Sequence, residues 1–263
     1  MMKRTCFVSG TKLAFVFVLT VLLSQVATAG SVTDSFDRAD GALAGSTTSA
    51  GTGVWDPGST HANTTVSGNR VVSSAGGGGG YIHFQPATDK TFSVEASSLR
   101  YGAATNNHSQ AIGFIDSSQN TEAPFGTCTS TGCWSGLHMA IEVSGNVHLW
   151  DNNFANHRTP GGNHGTAGLA DLAGGGPDAN WVDLKLEIDP VNNKARGYVN
   201  DMVNPVVEID YVLSDTIVAA GFSNSSTYGA EWDSFAAVPE PTSLALLSLG
   251  SLLVLWNRKR SRS

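Results

Sequence analysis

The chain has 263 residues, and its 15 basic and 22 acidic side chains give a formal net charge of −7. Residues 30–238 alone carry eight basic and 21 acidic residues, so this stretch has a net charge of −13. An acidic surface of this kind repels nucleic acid and anionic lipid, which argues against nucleic acid as a partner. About 200 residues are enough for one all-β domain with a substantial core.

The N-terminus has the three parts of a secretory signal peptide. Basic residues in 1–4 precede an apolar run over 13–23, and the small residues Ala27 and Ala29 follow. A basic start, a short apolar stretch and an A-x-A site are the features of a cleaved export signal. We therefore predict that residues 1–29 are a signal peptide, which signal peptidase removes after Ala29. An uncleaved anchor helix is the alternative.

The region between the termini shows no sustained helical period. Short runs of β-branched and aromatic residues recur instead, separated by Gly, Asn, Asp and Ser. Such runs, bounded by turn residues, predict strands. The predicted strands lie near residues 32–36, 63–66, 69–73, 80–85, 91–100, 109–115, 137–143, 146–150, 181–189, 194–200, 205–211, 216–223 and 230–237. Many short antiparallel strands indicate an all-β sandwich or jelly roll.

Two hairpins are well marked. The first joins residues 141–143 to 147–149 through Ser144-Gly145-Asn146. In the second, apolar and polar residues alternate over 184–188, and the turn residues at 189–193 precede the next strand.

Two stretches are predicted to lie outside the strands: a flexible run over Gly76–Gly80 and a long Gly/Asn/Pro-rich segment over 151–180. Long loops of this size are uncommon and are often functional, although a plain insert is the alternative. Cys128 and Cys133 remain once Cys6 leaves with the signal peptide, and an even number in an oxidising compartment predicts a disulfide. A thiolate zinc site is the alternative.

The central region resembles the concanavalin A-like, or laminin G-like, jelly-roll family. The resemblance rests on residues 34–41, which look like an opening strand, and on 181–189 with 197–200, which look like a late hairpin. Residues 221–222 and 231–235 look like closing strands. The resemblance implies an all-β jelly-roll domain over residues 30–237.

The tripeptide Asp34-Ser35-Phe36 recurs as Asp233-Ser234-Phe235. If the first and last strands pair, Phe36 and Phe235 face the core. The two-residue period of a strand then places Asp34 and Asp233 on the same face as the phenylalanines.

Some glycoside hydrolases of this fold use an E-x-D-x-x-E motif, in which alternate carboxylates act as acid and nucleophile. The chain contains three E-x-D pairs, and in each the third carboxylate is replaced, by Asn192, Leu213 and Ala236 in turn. The pairs are Glu187/Asp189, Glu208/Asp210 and Glu231/Asp233. We interpret them as solvated strand positions and predict no catalytic residue and no enzyme activity.

Sugar binding is the sharper hypothesis for the domain. Aromatic rings stack on pyranose faces, while nearby Asn and His side chains bind hydroxyl groups. The candidate residues lie around the first hairpin, and they are Trp134, His138, His148, Trp150 and Asn152. The alternative is that Trp134 and Trp150 belong to the core or anchor loops.

Calcium is the cofactor that the composition favours, because Ca²⁺ takes six to eight oxygen ligands. Paired termini would bring together Asp34, Asp37, Asp40 and Asp233. The alternative is an ordinary acidic surface.

The C-terminal segment 238–263 has its own pattern. Pro239, Glu240 and Pro241 precede an apolar stretch over 243–256, and Arg258, Lys259 and Arg260 follow. As a helix the apolar stretch would span about 21 Å, short of a hydrocarbon core of about 30 Å. The basic end is expected to stay inside the cell.

This order resembles the PEP-CTERM sorting signal. The resemblance implies recognition by an exosortase, transient residence in the inner membrane and transfer to the cell surface or an exopolysaccharide matrix. A permanent single-pass anchor is the alternative. We therefore predict an exported, exosortase-processed surface or matrix protein with a non-catalytic, glycan-binding jelly roll. A carbohydrate-active enzyme and a purely structural matrix component are the alternatives.

Overall fold

A computed structural model describes the chain over residues 30–56, 64–73, 78–99, 109–116, 136–142, 147–151, 156–157, 181–213, 216–224 and 230–239. The predicted signal peptide, Glu240 onwards and both cysteines of the predicted disulfide lie outside these ranges. Within them, no helix is long and apolar enough to cross a membrane.

The described residues form two antiparallel sheets, which confirms the predicted all-β sandwich of the concanavalin A-like jelly-roll class. The strands are β1 Val32–Asp34, β2 Gly41–Ala42, β3 Thr65–Val66, β4 Val71–Ser73, β5 Gly78–His83, β6 Phe92–Leu99, β7 Ser109–Asp116, β8 His138–Glu142, β9 Val147–Asp151, β10 Asn156–His157, β11 Trp181–Asp189, β12 Lys194–Val199, β13 Val207–Asp210, β14 Ile217–Asn224 and β15 Ala230–Pro239. Each predicted strand has a counterpart, and β2 and β10 are additional.

The nine-stranded sheet has the order β13-β12-β11-β6-β15-β4-β3-β2, and β1 pairs with β15 as well. Its β11–β12 hairpin confirms the predicted turn over 189–193. The Asp189 carboxylate accepts from the backbone N–H of Asn192 at 3.1 Å, and Asn193 takes a positive φ of 52°. Asparagine tolerates this conformation better than most residues.

The six-stranded sheet has the order β10-β9-β8-β7-β14-β5. The predicted first hairpin is confirmed, because β8 and β9 pair antiparallel with Ile141 opposite Val147. This sheet packs one face on the nine-stranded sheet and turns its other face away from the shared core.

Aromatic rings fill the core between the sheets. Trp55 lies 5.0 Å from Phe235 between ring centroids, and Phe222 lies 4.8 Å from Trp232. Phe36 is wholly buried and Phe235 nearly so, which confirms the prediction that both face the core. The first and last strands do pair, which was the condition for that prediction, with Asp34 opposite Phe235.

The prediction that Asp233 shares a face with Phe235 is wrong. The pairing of β15 with β6 shifts register between Trp232 and Ser234, which marks a β-bulge. The extra residue lets Trp232 and Phe235 both point into the core although they are three positions apart. Asp233 is therefore exposed, whereas Asp34 is buried.

The prediction of a flexible run over Gly76–Gly80 is wrong for its last three residues, which begin β5 and are buried. Glycine is needed there because the backbone passes close to its neighbours. A Cβ on Gly79 would lie 2.5 Å from the carbonyl oxygen of Phe222, and one on Gly78 would lie 2.2 Å from the Cβ of Ser73. Low side-chain bulk here reflects tight packing rather than flexibility.

Candidate functional site

Strand register brings four ring-bearing positions into one row across the outer face of the six-stranded sheet. His138 on β8 lies opposite Trp150 on β9, and Trp150 lies opposite His157 on β10. On the other side, Gly113 and Gly221 continue the row to Tyr81 on β5. We call Tyr81, His138, Trp150 and His157 the ring row. For Trp150 and His157 only the backbone lies within the described part of the chain.

Small residues form the floor around the ring row. Ala111, Ala140 and Ala219 point to the same side as Tyr81 and are buried with it. Gly113 leaves no room for a side chain, because a Cβ there would lie 2.4 Å from the Cβ of His138. Two glycines, Gly113 and Gly221, therefore separate Tyr81 from His138 along this row, and the alanines beside them are buried together with Ile115.

His138 is wholly buried, and His148, opposite Ala140, is 5% exposed. Burial lowers the pKa of His138 to about 3, despite a hydrogen bond with the backbone of Gly136 that favours the charged form. The imidazole is consequently neutral at physiological pH. His138 therefore belongs to the buried floor of this face.

Tyr81 marks the far end of the ring row, and sequence reasoning did not identify it. Its backbone exchanges two hydrogen bonds of 2.9 Å with Asp56. Burial raises the pKa of the Tyr81 phenol, and a hydrogen bond to the Asp56 side chain adds to the effect. The ring of exposed His83 meets Tyr81 edge-on at 6.4 Å. No local sequence signal links Tyr81 to β8, since 57 positions separate it from His138 along the chain.

The remaining sugar-site candidates are placed less fully. Trp134 and Asn152 lie outside the described residues, as does the side chain of Trp150. The sugar-binding role of this set therefore stays a prediction.

The predicted calcium set does not form a cluster. The Asp34 carboxylate is buried and accepts hydrogen bonds from Trp55 Nε1 at 2.6 Å, Ser49 Oγ at 2.9 Å and the Arg38 guanidinium. Asp40 accepts from the backbone N–H of Gly68 at 2.9 Å. Asp37 and Asp233 are exposed, and in the described ranges no three acidic, His or Cys residues are placed to hold a metal ion. Asp34 is engaged in an ion pair with Arg38 and the bulge exposes Asp233, and calcium binding by this set stays a prediction.

All three E-x-D pairs lie on the nine-stranded sheet, and ion pairs with Lys or Arg engage five of their carboxylates, those of Glu187, Asp189, Glu208, Asp210 and Glu231. Arg196 Nη1 lies 2.8 Å from Glu187 Oε1, and Arg196 Nε lies 2.7 Å from Glu208 Oε2. Hydrogen bonds to Glu208 and Glu187 raise the pKa of Arg196. Glu187 and Asp189 have side-chain exposures of only 12% and 8%, so the expectation of solvated positions is wrong for this pair.

A groove of about 500 Å³ lies along the outer face of the nine-stranded sheet. Glu95, Asp183 and several serines line it. Ser97 Oγ donates to Asp183, and Ser49 Oγ donates to Asp34, so these hydroxyls already have partners. The ring of Phe235 is 2% exposed and offers no stacking surface to the groove.

Comparison with solved structures gives remote likenesses. The chain is similar to the carbohydrate recognition domain of Emp46p in its potassium-bound form, with 11% identity and a TM-score of 0.49, over 72% of this chain and 89% of that one. It is similar to the Ca²⁺-bound exoplasmic/lumenal domain of VIP36, with 14% identity and a TM-score of 0.48, over 81% and 90% of the two chains.

No curated protein matches the sequence. One family model does match, over residues 237–260, and its description is the PEP-CTERM protein-sorting motif. The match begins at the end of β15 and continues through the Pro-Glu-Pro sequence, the apolar stretch and the basic residues. The predicted sorting signal is thus confirmed: the C-terminal segment of this chain is a PEP-CTERM protein-sorting motif.

Proposed function

We propose that this chain is an exported protein, freed of its signal peptide after Ala29 and processed by an exosortase near Pro239-Glu240-Pro241. The observation that carries the proposal is the sorting motif joined directly to a folded β-sandwich. The precursor is held at the inner membrane by its apolar C-terminal stretch, and the mature form resides at the cell surface or in an exopolysaccharide matrix.

The mass of the mature protein tests this processing. The expected product begins near Gly30 and ends near Pro239. A mature form that still contains Trp256 would instead support the permanent anchor.

The sandwich itself we propose to be a non-catalytic glycan-binding domain that uses the outer face of the six-stranded sheet. Support comes from the ring row, in which Gly113 and Gly221 separate Tyr81 from His138 while alanines lie on the same face. An aromatic ring in this row, with imidazole and phenol groups beside it, suits a pyranose ring, which has apolar faces and a rim of hydroxyl groups.

The charge arrangement favours binding over catalysis. Acid–base hydrolysis of a glycosidic bond needs two carboxylates that flank the substrate. The E-x-D carboxylates lie on the opposite sheet, and Glu187 and Glu208 are engaged by Arg196. A site on the ring-row face would therefore hold a sugar without the pair of carboxylates that these E-x-D sequences would supply.

A glycan array probed with the mature protein tests the binding. Trp150→Ala is expected to weaken affinity at least tenfold, or about 1.4 kcal/mol, with little loss of thermal stability. Trp181→Ala is the matched control, because Trp181 lies on the other sheet, where the Arg70 guanidinium stacks 5.0 Å from its ring. A collapse of the melting temperature in Trp150→Ala would mean that this ring belongs to the core.

Two further measurements separate the alternatives. Release of reducing sugar from a polysaccharide panel would contradict the non-catalytic proposal. Loss of affinity in Asp183→Ala, with Trp150→Ala unaffected, would move the site to the groove on the nine-stranded sheet.

Repeating the binding measurement with Ca²⁺ and with EDTA tests the prediction that calcium is a cofactor.

A further inference from the structure

The sorting motif begins inside the folded domain. The match starts at Ala237, and β15 continues to Pro239, so the two overlap by three residues. Ala237 is wholly buried and has neighbours on both sides, Val94 on β6 and Val32 on β1. Pro239, the first residue of the Pro-Glu-Pro sequence, is thus also the last residue of a central strand.

Strand β15 is paired with fewer neighbouring strands toward its C-terminal end. The pairing of β1 with β15 stops at Ala237, whereas β6 continues, with Ser93 opposite Val238 and Phe92 opposite Pro239. Val238 and Pro239 are therefore held by one neighbouring strand, and proline has no N–H to donate. The last two residues of β15 form the part of the strand that opens most readily.

Both ends of the domain leave the sandwich on the same side. Because β1 and β15 run antiparallel, the chain before Val32 and the chain after Ala237 emerge together. Five residue steps separate Pro239 from Leu244 in the apolar stretch, a reach of at most about 18 Å. This end of the sandwich therefore lies close to the membrane while the tail is inserted.

Peptide-binding clefts commonly take their substrate as an extended segment whose backbone hydrogen-bonding groups are free. In an antiparallel pair only alternate residues direct their backbone groups at a given neighbour, so one of Val238 and Pro239 directs its groups toward β6 in the folded domain. A peptidase at the membrane surface that encloses an extended segment cannot take up this strand end until it separates from β6, and the tether of at most about 18 Å limits how the enzyme can approach.

We infer that the folded domain controls its own processing. The exosortase gains access to the Pro-Glu-Pro sequence only when Val238 and Pro239 detach from β6. This inference rests on the proposed exosortase processing. When opening breaks one or two strand-end hydrogen bonds, on the order of one molecule in ten is in the open form. A variant whose strand end does not have to open should therefore be processed about three- to tenfold faster.

A reversible lock tests the inference in the full-length protein, expressed in a host that has the exosortase. Ser93→Cys with Val238→Cys places two thiols opposite each other at the end of β15. The matched control is Ser97→Cys with Ser234→Cys, a pair in the middle of the same two strands. Non-reducing gels confirm disulfide formation, and pulse–chase labelling follows conversion of precursor to mature form.

The locked end is expected to be processed at least tenfold more slowly than the control pair, and mild reductant should restore the rate. Equal rates for the two oxidised pairs would overturn the inference. A second variant inserts Gly-Ser-Gly-Ser between Val238 and Pro239 and should be processed three- to tenfold faster than one with the same insert after Val203, an 81% exposed turn residue. Equal or slower processing of the first insert would also overturn it.

Glu240→Ala separates this inference from the proposed function. If Glu240→Ala blocks processing while the locked end does not slow it, only the control by the fold is refuted. If Glu240→Ala is processed like the wild type, the exosortase proposal itself fails.

Discussion

The carboxylate of Asp34 is the most heavily used polar group at the start of the domain. Its Oδ1 accepts from the backbone N–H of Phe36 at 2.8 Å and from Ser49 Oγ at 2.9 Å. Its Oδ2 accepts from Trp55 Nε1 at 2.6 Å and from the Arg38 guanidinium. Since the Asp34 side chain is 0% exposed, its charge is balanced by Arg38 and not by water.

Asp34→Asn keeps the shape of the side chain but removes the charge and turns one acceptor into a donor. That donor would face either the Trp55 indole N–H and Arg38 or, in the flipped orientation, the Phe36 N–H and Ser49 Oγ. Breaking one partner of a buried ion pair costs about 3–5 kcal/mol. The Arg38 side chain is 20% exposed and regains some hydration, so we expect the lower end, about 3 kcal/mol. For a domain of about 200 residues this lowers the melting temperature by about 6–12 °C.

Asp233→Asn provides a matched control within the same molecule. Both aspartates precede Ser-Phe, and both phenylalanines are buried, but Asp233 is exposed on the bulge. We expect Asp233→Asn to change stability by less than about 0.5 kcal/mol. Thermal melting of the secreted protein, followed by circular dichroism, measures both variants. Equal melting temperatures for Asp34→Asn and Asp233→Asn would refute the role assigned to the buried ion pair.

Two further predictions concern the six-stranded sheet. His138 titrates near 6.5 when unfolded and has a pKa of about 3 when folded, so its contribution is complete above pH 6.5 and is lost as the pH falls toward 3. Urea unfolding at pH 7 and pH 4.5 should show a loss of about 2–3 kcal/mol that is absent in His138→Gln; equal losses in both proteins would contradict this. Gly79→Ala should destabilise by at least about 2 kcal/mol, because its Cβ would meet the Phe222 carbonyl at 2.5 Å, whereas Gly41→Ala, with nothing within 4 Å, should be neutral. An unchanged free energy of unfolding for Gly79→Ala in the same assay would show that the backbone around Gly79 can shift to accommodate the Cβ.

The sequence by itself determined the strands, the fold class and the sorting segment. Alternation of apolar and polar residues over 184–188, closed by turn residues at 189–193, is a local pattern, and β11 and β12 follow it. The sorting motif is equally local, since an apolar run between a Pro-Glu-Pro sequence and basic residues is recognised without knowledge of the fold. The repeated Asp-Ser-Phe tripeptide showed that the first and last strands carry the same local pattern, and it indicated correctly that both phenylalanines would face the core if the strands paired.

Only the tertiary structure decided which residues meet across the sheets. The bulge at Asp233 depends on β6, which forces Trp232 and Phe235 inward together, and nothing in the tripeptide itself distinguishes it from the one at Asp34. Tyr81 and His138 share a row because β14 and β7 lie between their strands, and strand order depends on pairing between distant segments. The first two residues of β5, Gly78 and Gly79, were not predicted as strand for the same reason, because the close approach of β4 and β14 requires glycine there.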